Sequence, residues 1–352
     1  MIREMSVVYK SLSWAAMLAL VVFFSACSSS KNQLKKPEKD WMVAFYNVEN
    51  LFDTINDPTI NDEEFLPESR LNWNTEKYQH KLYQKAKVIA AMDSLEMPHF
   101  IGLAEIENHT VLEDLVREPA IAKAAYSIAH IEDDDDRGIE VAALYRADYF
   151  RLLHLQAMEI TKPDSLSGKL RHVLYVKGLI YGNDTLHIFV NHWASRYGGR
   201  EETDPKRRAS GDFLRHMADS ILAFNATARI VIMGDLNDNP NDLSITDHLK
   251  AGSPKQGVVN AELYNLSLDP FLAGEGTLYY KSWDFFDQVI VSSALLNGKT
   301  WQVDTLKVVK HPWMLFQQKN GETRPNRTAS GGRYYGGFSD HLPVVLYLTP
   351  GK

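Results

Sequence analysis

Short runs of β-branched and aromatic residues recur along most of this chain, and polar residues or Gly, Asn and Asp bound each run. Runs of this length and composition are typical of β-strands. A chain with this pattern buries its apolar residues by pairing many strands, so the pattern predicts a sheet-rich domain. We place strands at residues 42–46, 100–104, 141–145, 173–176, 186–190, 230–233, 288–291 and 344–348.

Apolar residues at helical spacing occur in only three segments between these runs. Thr75 suits an N-cap and Pro205 suits the first turn of a helix, whereas Pro119 predicts a break. Many strands with few helices favour an α/β or α+β domain, in which two sheets pack together with helices outside. The predicted helices span residues 75–95, 111–125 and 205–224, and the predicted long loops span residues 54–72 and 317–338.

The N-terminal segment predicts an export signal that is not part of the fold. Arg3 and Lys10 precede eleven apolar residues at 14–24 (WAAMLALVVFF), and small residues follow. This pattern is typical of a secretory signal, because the run is short for a ~30 Å hydrocarbon core. The alternatives are a short membrane anchor or a stray apolar start. The segment FSAC resembles a bacterial lipobox, which implies lipidation of Cys27.

We therefore predict a lipoprotein signal peptide at residues 1–26, a lipidated cysteine with a flexible tether at 27–40, and a single domain at 41–352. Lipid chains on Cys27 would hold an exported protein on a membrane of the cell envelope without a spanning helix. We expect the outer membrane, with the protein on its periplasmic or surface face. Cys27 is the only cysteine, so the domain contains neither a disulfide nor a Cys-rich zinc module.

The charge balance limits how the protein can bind nucleic acid. The net charge is −7, and removal of residues 1–26 leaves 36 basic and 44 acidic residues, or −8. This balance argues against a broad non-specific coat on nucleic acid but permits a local basic groove. Residues 196–215 and 317–338 are locally basic, and either could also be an ordinary solvated surface. Arg196 and Arg333 are our predicted phosphate contacts, and Tyr334 and Tyr335 could stack on a base or sugar.

Polar residues that suit metal chemistry follow two of the predicted strands. Asn47 and Glu49 lie two apart at the end of the first strand, so an extended backbone points both to one face. An amide and a carboxylate there suit a hard cation or a phosphate oxygen. Glu105 directly follows a buried run and is a candidate Mg²⁺ ligand. Taken singly, each residue also fits a polar strand end or a solvated turn.

Residues that suit hydrolysis follow two further strands. His192 follows the run at 186–190, and Asp235 and Asn237 follow the run at 230–233. An acid that can hold a water molecule and an amide that can hold an oxyanion serve in-line hydrolysis. The alternatives are a structural histidine and an Asx-rich turn.

A third pair of polar segments lies nearer the C-terminus. Asp287 lies within an otherwise apolar strand, where a carboxylate needs a partner to offset its desolvation. Asp340 and His341 precede the last strand. Asp340 could bind metal, and His341 could be a base whose ring Asp287 orients.

The order of these motifs resembles that of the endonuclease/exonuclease/phosphatase superfamily, the metal-dependent phosphoesterases related to DNase I. The resemblance runs from about Trp41 to Thr349 and is most specific at GDLND (234–238) and SDH (339–341). The segments YNVENLFD and NHWASR look most like the bacterial secreted-nuclease branch. The resemblance implies a four-layer α/β/β/α sandwich, in which two mainly antiparallel mixed sheets pack face to face.

By position, the resemblance also implies a metal site and a cofactor. Glu105 would be the main ligand of Mg²⁺, with Mn²⁺ or Ca²⁺ as alternatives. Asn47, Glu49 and Asp340 would lie near the metal.

The resemblance assigns the remaining residues to catalysis. Asp235 and Asn237 would place the attacking water and the phosphate. His341, paired with Asp287, would form a second catalytic centre, and His192 would bind the phosphate or assist the leaving oxygen.

These residues predict a metal-dependent phosphoester hydrolase. Our leading hypothesis is a nuclease that cleaves DNA or RNA, and we expect it to be a monomer. A phosphatase or phospholipase C-type enzyme acting on sugar, inositol or lipid phosphates is the alternative. A catalytically dead, lipid-anchored binding module is a third reading. We disfavour it because Glu105, Asp235 and His341 are all competent residues.

Overall fold

The computed structural model describes residues 33–133, 135 and 137–351, and in it the apolar runs of the sequence pair into two large β-sheets. The strands of the first sheet are β1 (Trp41–Leu51), β2 (Phe100–Ile106), β3 (Tyr126–Ala129), β4 (Glu140–Arg146), β14 (Trp301–Val308) and β19 (Val344–Pro350). Their order across the sheet is β14-β19-β1-β2-β4-β3.

The second sheet has seven strands in the order β5-β6-β7-β8-β13-β10-β9. They are β5 (Arg151–Met158), β6 (Val173–Ile180), β7 (Asp184–His192), β8 (Arg229–Asp235), β9 (Ala251–Gly252), β10 (Leu263–Asn265) and β13 (Asp287–Ser292). Three short hairpins complete the strands: β11 (Leu278–Tyr280) with β12 (Ser282–Asp284), β15 (Leu315–Gln317) with β16 (Thr323–Pro325), and β17 (Ala329–Ser330) with β18 (Arg333–Tyr334).

Helices cover the outer faces of both sheets. The α-helices of the described residues are α1 (Thr75–Ala90), α2 (His109–Arg117), α3 (Arg200–Phe224), α4 (Leu268–Leu272) and α5 (Ala294–Asn297). Helices α1 and α2 pack on the first sheet and α3 packs on the second, each around its own apolar core. The short helices α4 and α5 instead pack Phe271 and Leu295 against the core between the sheets. No helix in this part of the chain is both long and apolar enough to cross a membrane.

The side chains of β1 show why the layers stack in this order. Trp41, Val43 and Phe45 join the core between the two sheets, while Met42 and Ala44 join the core beneath the helices. Because successive side chains of a strand point to opposite faces, a strand that is apolar at every position fits only between two covered faces.

Strand direction brings several strand ends to one edge of the sandwich. β1 and β2 are parallel, and so are β7 and β8, so their carboxyl ends meet at this edge. β13 is antiparallel to β8, and β19 is antiparallel to β1, so the amino ends of these two strands lie there as well. Residues at the carboxyl ends of β1, β2, β7 and β8 are therefore neighbours of residues at, or just before, the amino ends of β13 and β19.

The predicted fold class is confirmed, and each predicted run lies within a strand. The bounds of all three predicted helices differ. α1 ends at Ala90 rather than residue 95, α2 ends at Arg117 because Pro119 follows closely, and α3 begins at Arg200, with Pro205 inside its second turn. The predicted loop at 317–338 is wrong in part, because short hairpins form within it.

Five strands of the two large sheets were not predicted from the sequence: β3, β5, β9, β10 and β14. β5 lies at a sheet edge, where half of its residues are exposed and none is buried, so its apolar signal is weak. The predicted signal peptide and Cys27 lie outside the described residues. Residues from Leu34 onward form one compact unit, while the domain boundaries predicted at 26 and 40 stay predictions.

Candidate active site

Asp235 lies at the centre of a cluster of polar side chains at the shared strand edge. Its Oδ2 accepts a hydrogen bond from Asn47 Nδ2 at 3.0 Å, and the same amide nitrogen donates to Glu105 Oε1 at 3.2 Å. Asp235 and Asn47 are almost fully buried, whereas the Glu105 side chain is 17% exposed. One amide on β1 therefore joins a buried acid on the second sheet to an accessible acid on the first.

Local backbone strain sets the position of Glu105. Its φ is +66°, and Glu49 and Asn50 have φ values of +51° and +50°, in the left-handed region that non-glycine residues rarely adopt. The Asn50 amide donates to Glu105 Oε2 at 2.8 Å. The Lys81 ammonium donates to the carbonyl of Glu49 and so supports the turn from the side of α1.

Gly234 permits the close approach of β7 and β8 at this edge. A Cβ atom at this position would lie 2.2 Å from the carbonyl oxygen of Asn191, and its φ is +157°. No other residue fits there without displacing β7 or the acid that follows.

Two histidines face Asp235 from different sides. His192 Nε2 and His341 Nε2 each lie 3.7 Å from Asp235 Oδ2, and His192 Nε2 also lies 3.8 Å from Glu105 Oε1. The ring of His341 is oriented by Asp287, whose Oδ2 lies 2.7 Å from His341 Nδ1. The predicted Asp–His pair is thus in direct contact.

Burial and neighbouring charges shift the pKa values of His192 and His341 in opposite directions. Burial lowers the pKa of His192 well below its ordinary value, and the nearby cation of Arg171 lowers it further. Burial also lowers the pKa of His341, but the carboxylates of Asp287 and Asp235 more than offset this and raise it well above its ordinary value. Burial raises the pKa of Asp235 to about 7. At neutral pH, His192 is therefore neutral and His341 carries a positive charge.

Asn237 follows Asp235 in a left-handed turn with a φ of +51°. Its backbone N–H donates to Asp235 Oδ1 at 3.0 Å, and its side-chain amide donates to the carbonyl of Trp193 at 3.1 Å. The turn fixes both residues relative to β7, and Asn237 lies on the wall of the cleft.

Glu49, predicted as a metal neighbour, already has partners in this structure. Its carboxylate accepts hydrogen bonds from the backbone amides of Thr328 at 2.6 Å and Ala329 at 3.2 Å, and it is almost fully buried. These contacts tie the segment before β17 to the end of β1. The ligand role of Glu49 stays a prediction and competes with them.

Arg327 was not among the predicted site residues. Its guanidinium is hydrogen-bonded to Asp340, and its Nε lies 3.7 Å from Glu49 Oε1. The sequence signal was only that Arg327 belongs to the basic stretch at 317–338. Nothing in that stretch separates it from Arg324 or Arg333.

The two predicted phosphate contacts differ in placement. The Nη2 atom of Arg196 bonds Asp238 at 2.8 Å and Asp242 at 2.6 Å, and its Nε donates to the Asn237 carbonyl. Arg196 thus organises the turn after β8 and also lines the cleft. Arg333 is exposed and lies over the ring of Tyr335. The contact roles of both arginines stay predictions.

The residues present fit one hard divalent cation at Glu105. Its two carboxylate oxygens accept only amide hydrogen bonds, and within the described residues the only basic side chain within ion-pair distance is His192, which is neutral. No group of three or more acidic, His or Cys side chains in this part of the chain forms a complete metal cage. Mg²⁺ does not require one, since it usually takes one or two carboxylates and retains water.

Two cavities open on either side of the Arg327–Asp340 pair. One has a volume of about 610 Å³ and reaches Asn237, and the other has a volume of about 200 Å³ and reaches Glu49. Both cavities share Arg327 and Asp340, so there is open space next to the candidate site.

Two mixed sheets in a sandwich, with this Asn, Glu, Asp and His cluster at one edge, define a phosphoesterase hydrolase of the DNase I-like class. The chain belongs to the Endonuclease/Exonuclease/phosphatase family, whose family model matches residues 42–350. Members of this family generally use divalent metals. No curated protein matches the sequence closely enough to count as a relative.

Solved structures with the same fold come from several organisms. The Bacteroides thetaiotaomicron mannosyl-6-phosphatase Bt3783 aligns with a TM-score of 0.54 and 16% identity over 88% of this chain and 99% of its own. Truncated Caenorhabditis elegans TDP2 aligns with a TM-score of 0.52 and 14% identity over 88% and 97%. The human Nocturnin catalytic domain, with bound sulfate, aligns with a TM-score of 0.52 and 15% identity over 88% and 94%. At these identities the likeness shows the fold alone.

Proposed function

We propose that this protein is a Mg²⁺-dependent phosphodiesterase that cleaves DNA or RNA. The observation that carries this proposal is the cluster around Asp235. One buried acid contacts Asn47 and faces two histidines, while an accessible acid, Glu105, remains free of lysine and arginine ion pairs among the described residues. Such a cluster suits hydrolysis by positioned water and needs no covalent nucleophile.

Each side chain has a task that follows from its contacts. Glu105 and Asn47 would hold Mg²⁺, which supplies neutralisation of the phosphoryl oxygens and of the leaving oxygen. Asp235 would place the attacking water, because its Oδ2 lies 3.7 Å from Nε2 of each of the two histidines. His341, kept in one orientation by Asp287, donates to a phosphoryl oxygen from Nε2. His192 contacts the phosphate from the opposite side.

The shape of the cleft favours a diester over a monoester. A phosphomonoester carries one group and needs one cavity, whereas the phosphate of a diester carries a group on each side. The two cavities that share Arg327 and Asp340 provide room for both groups.

A phosphatase acting on a sugar, inositol or lipid phosphate is the second candidate. It is favoured by the acidic net charge of −7, which disfavours long polyanions, and by the fold likeness to a mannosyl-6-phosphatase.

We also propose export as a monomer anchored in the cell envelope by lipid on Cys27, supported by the FSAC segment after an apolar run. The test is membrane fractionation of cells expressing the full chain or Cys27→Ala. An equal membrane share of both would contradict the anchor.

Purified protein with plasmid DNA, RNA, bis-p-nitrophenyl phosphate or a phosphomonoester, each with Mg²⁺ or EDTA, tests the activity. We expect Mg²⁺-dependent cleavage of the diesters. Glu105→Gln and His341→Ala should each lose at least about 100-fold in rate, while the exposed control Asp304→Asn keeps wild-type activity. Cleavage of the monoester alone would replace the nuclease with the phosphatase, and no turnover of any ester would overturn both.

A further inference from the structure

The larger cavity beside the active site has walls from three separate segments. The hairpin β11–β12, the hairpin β15–β16 and the turn at 195–198 line a cavity of about 610 Å³, together with Asn237 and Asp340. This volume lies within the range of small-molecule binding sites. The cavity therefore adjoins the candidate active site, because Asn237 and Asp340 belong to its lining.

The hairpin β11–β12 is fixed to the catalytic residues. The Leu342 amide donates to the carbonyl of Thr277 at 2.7 Å, directly after His341. Asn239 holds the other strand at the same open end of the hairpin, since its Nδ2 donates to Asp284 Oδ1 at 2.8 Å and Asp284 pairs with Leu278. Tyr279 Oη donates to Glu322 Oε2 at 2.9 Å and so joins this hairpin to the segment that precedes β16. The cavity wall is preorganised relative to the site.

Aromatic rings supply much of the lining. Tyr279 packs edge-on against Trp283, Phe286 is buried under the guanidinium of Arg196, and Tyr280 and Tyr197 are 72% and 94% exposed. Rings presented in this way offer flat faces for stacking on a planar group.

Most polar groups of the lining are already engaged. The Tyr279 hydroxyl bonds Glu322, Arg196 bonds two carboxylates, and the Asn237 amide bonds the Trp193 carbonyl. A sugar or inositol ring needs many hydrogen-bonding partners, because its hydroxyls lose water on binding. A planar aromatic ring needs few, so this lining favours a ring that stacks.

Arg324 differs from these three engaged groups. Its Nε is buried without a hydrogen-bond partner among the described residues, and its guanidinium lies 5.3 Å from the centre of the Phe316 ring. A guanidinium in a cleft whose Nε lacks a hydrogen-bond partner suits a phosphate. The cavity thus offers stacking faces together with one anion contact.

We propose that this cavity binds one unpaired nucleotide next to the scissile phosphate, with its base on Tyr279 or Tyr280 and its outer phosphate at Arg324. The proposal rests on the phosphodiesterase function and narrows the substrate to single-stranded nucleic acid. A base inside a duplex already has both faces stacked, so it cannot reach these rings without being extruded.

Binding of fluorescein-labelled dT8 to the full chain, measured by anisotropy in EDTA, tests the subsite without turnover. A labelled abasic deoxyribose-phosphate chain of equal length has the same charge and lacks the rings. We expect dT8 to bind at least about tenfold more tightly than the abasic chain and than a duplex of that length. Equal affinity for dT8 and the abasic chain, or tighter binding of the duplex, would overturn the proposal.

Substitutions in the cavity lining test whether the preference for dT8 over the abasic chain arises there. Tyr279→Ala and Tyr280→Ala should together remove the preference for dT8, Tyr279→Phe should keep it, and the exposed control Tyr83→Ala should not change it. Arg324→Gln should keep the preference but lower the slope of log K against log salt concentration by about 0.7. An unchanged preference in the double tyrosine variant would overturn the proposal.

Hydrolysis of methyl p-nitrophenyl phosphate in Mg²⁺ tests the phosphodiesterase function separately from the nucleotide subsite. Turnover of that small diester with ring-independent binding of dT8 would retain the phosphodiesterase and overturn the subsite. Ring-dependent binding without turnover of any diester would support the cavity as a nucleotide site and overturn the phosphodiesterase.

Discussion

Replacement of Asp287 by Asn tests the role of the Asp287–His341 pair with little change in shape. The two side chains are buried, and their atoms lie 2.7 Å apart. At an effective dielectric constant of about 20, opposite charges at this separation attract by about 6 kcal/mol. The Asn amide keeps a dipole and can accept the same hydrogen bond, so only part of this attraction is lost.

We expect the substitution to raise the barrier of phosphodiester hydrolysis by roughly 3–5 kcal/mol, or about 10²- to 10⁴-fold in kcat/KM. The assay is Mg²⁺-dependent hydrolysis of bis-p-nitrophenyl phosphate by wild type, Asp287→Asn, His341→Asn and the double variant. Because the two residues act as one unit, the double variant should be about as slow as His341→Asn alone.

Unfolding in urea provides the control for this comparison. His341→Asn leaves the Asp287 carboxylate buried without a positive partner, which costs about 3–5 kcal/mol of stability, whereas Asp287→Asn should cost less. Near-normal activity of Asp287→Asn in the folded state would refute the orienting role. Strictly additive losses in the double variant would show that the two residues act independently.

Three further predictions concern the supports of the site and the fold. Lys81→Met removes the donor to the Glu49 carbonyl, so the Mg²⁺ concentration for half-maximal activity should rise about tenfold; an unchanged Mg²⁺ titration would contradict this. Gly234→Ala places a methyl group against the Asn191 carbonyl, and thermal unfolding should show a lower Tm together with lost activity. Burial lowers the pKa of His99 to about 4. Between pH 6.5 and pH 4, His99 is therefore protonated in the unfolded chain but remains mostly neutral in the folded chain. The free energy of unfolding should therefore fall by about 3 kcal/mol between pH 6.5 and pH 4, and His99→Gln should remove this component in urea titrations.

Much of the fold was predictable because its central strands are apolar on both faces. β1 and β8 form near-continuous apolar runs, and such runs fit only between covered layers. The polar residues after these runs were predictable for the same reason, since parallel strands bring their carboxyl ends to one edge. The edge strand β5 has no buried residue, so composition did not reveal it.

The hydrogen-bond partners of site residues could not be predicted from the sequence where they lie far away along the chain. Glu49 carried the signal of a metal ligand, but its carboxylate is bound by backbone amides 279 and 280 residues away. Backbone donors leave no trace in side-chain chemistry. Arg327 likewise resembled its basic neighbours, and only its contact with Asp340 distinguishes it.

The measurement that tests the central claim most directly is the rate of bis-p-nitrophenyl phosphate hydrolysis as a function of Mg²⁺ concentration, for wild type and for Glu105→Gln. A hydrolase that holds Mg²⁺ at Glu105 should be inactive in EDTA and rise with Mg²⁺ to a plateau. The variant should stay at least about 100-fold below it or need far more Mg²⁺. Equal rates in EDTA and Mg²⁺, or superimposable curves for the two proteins, would contradict the account.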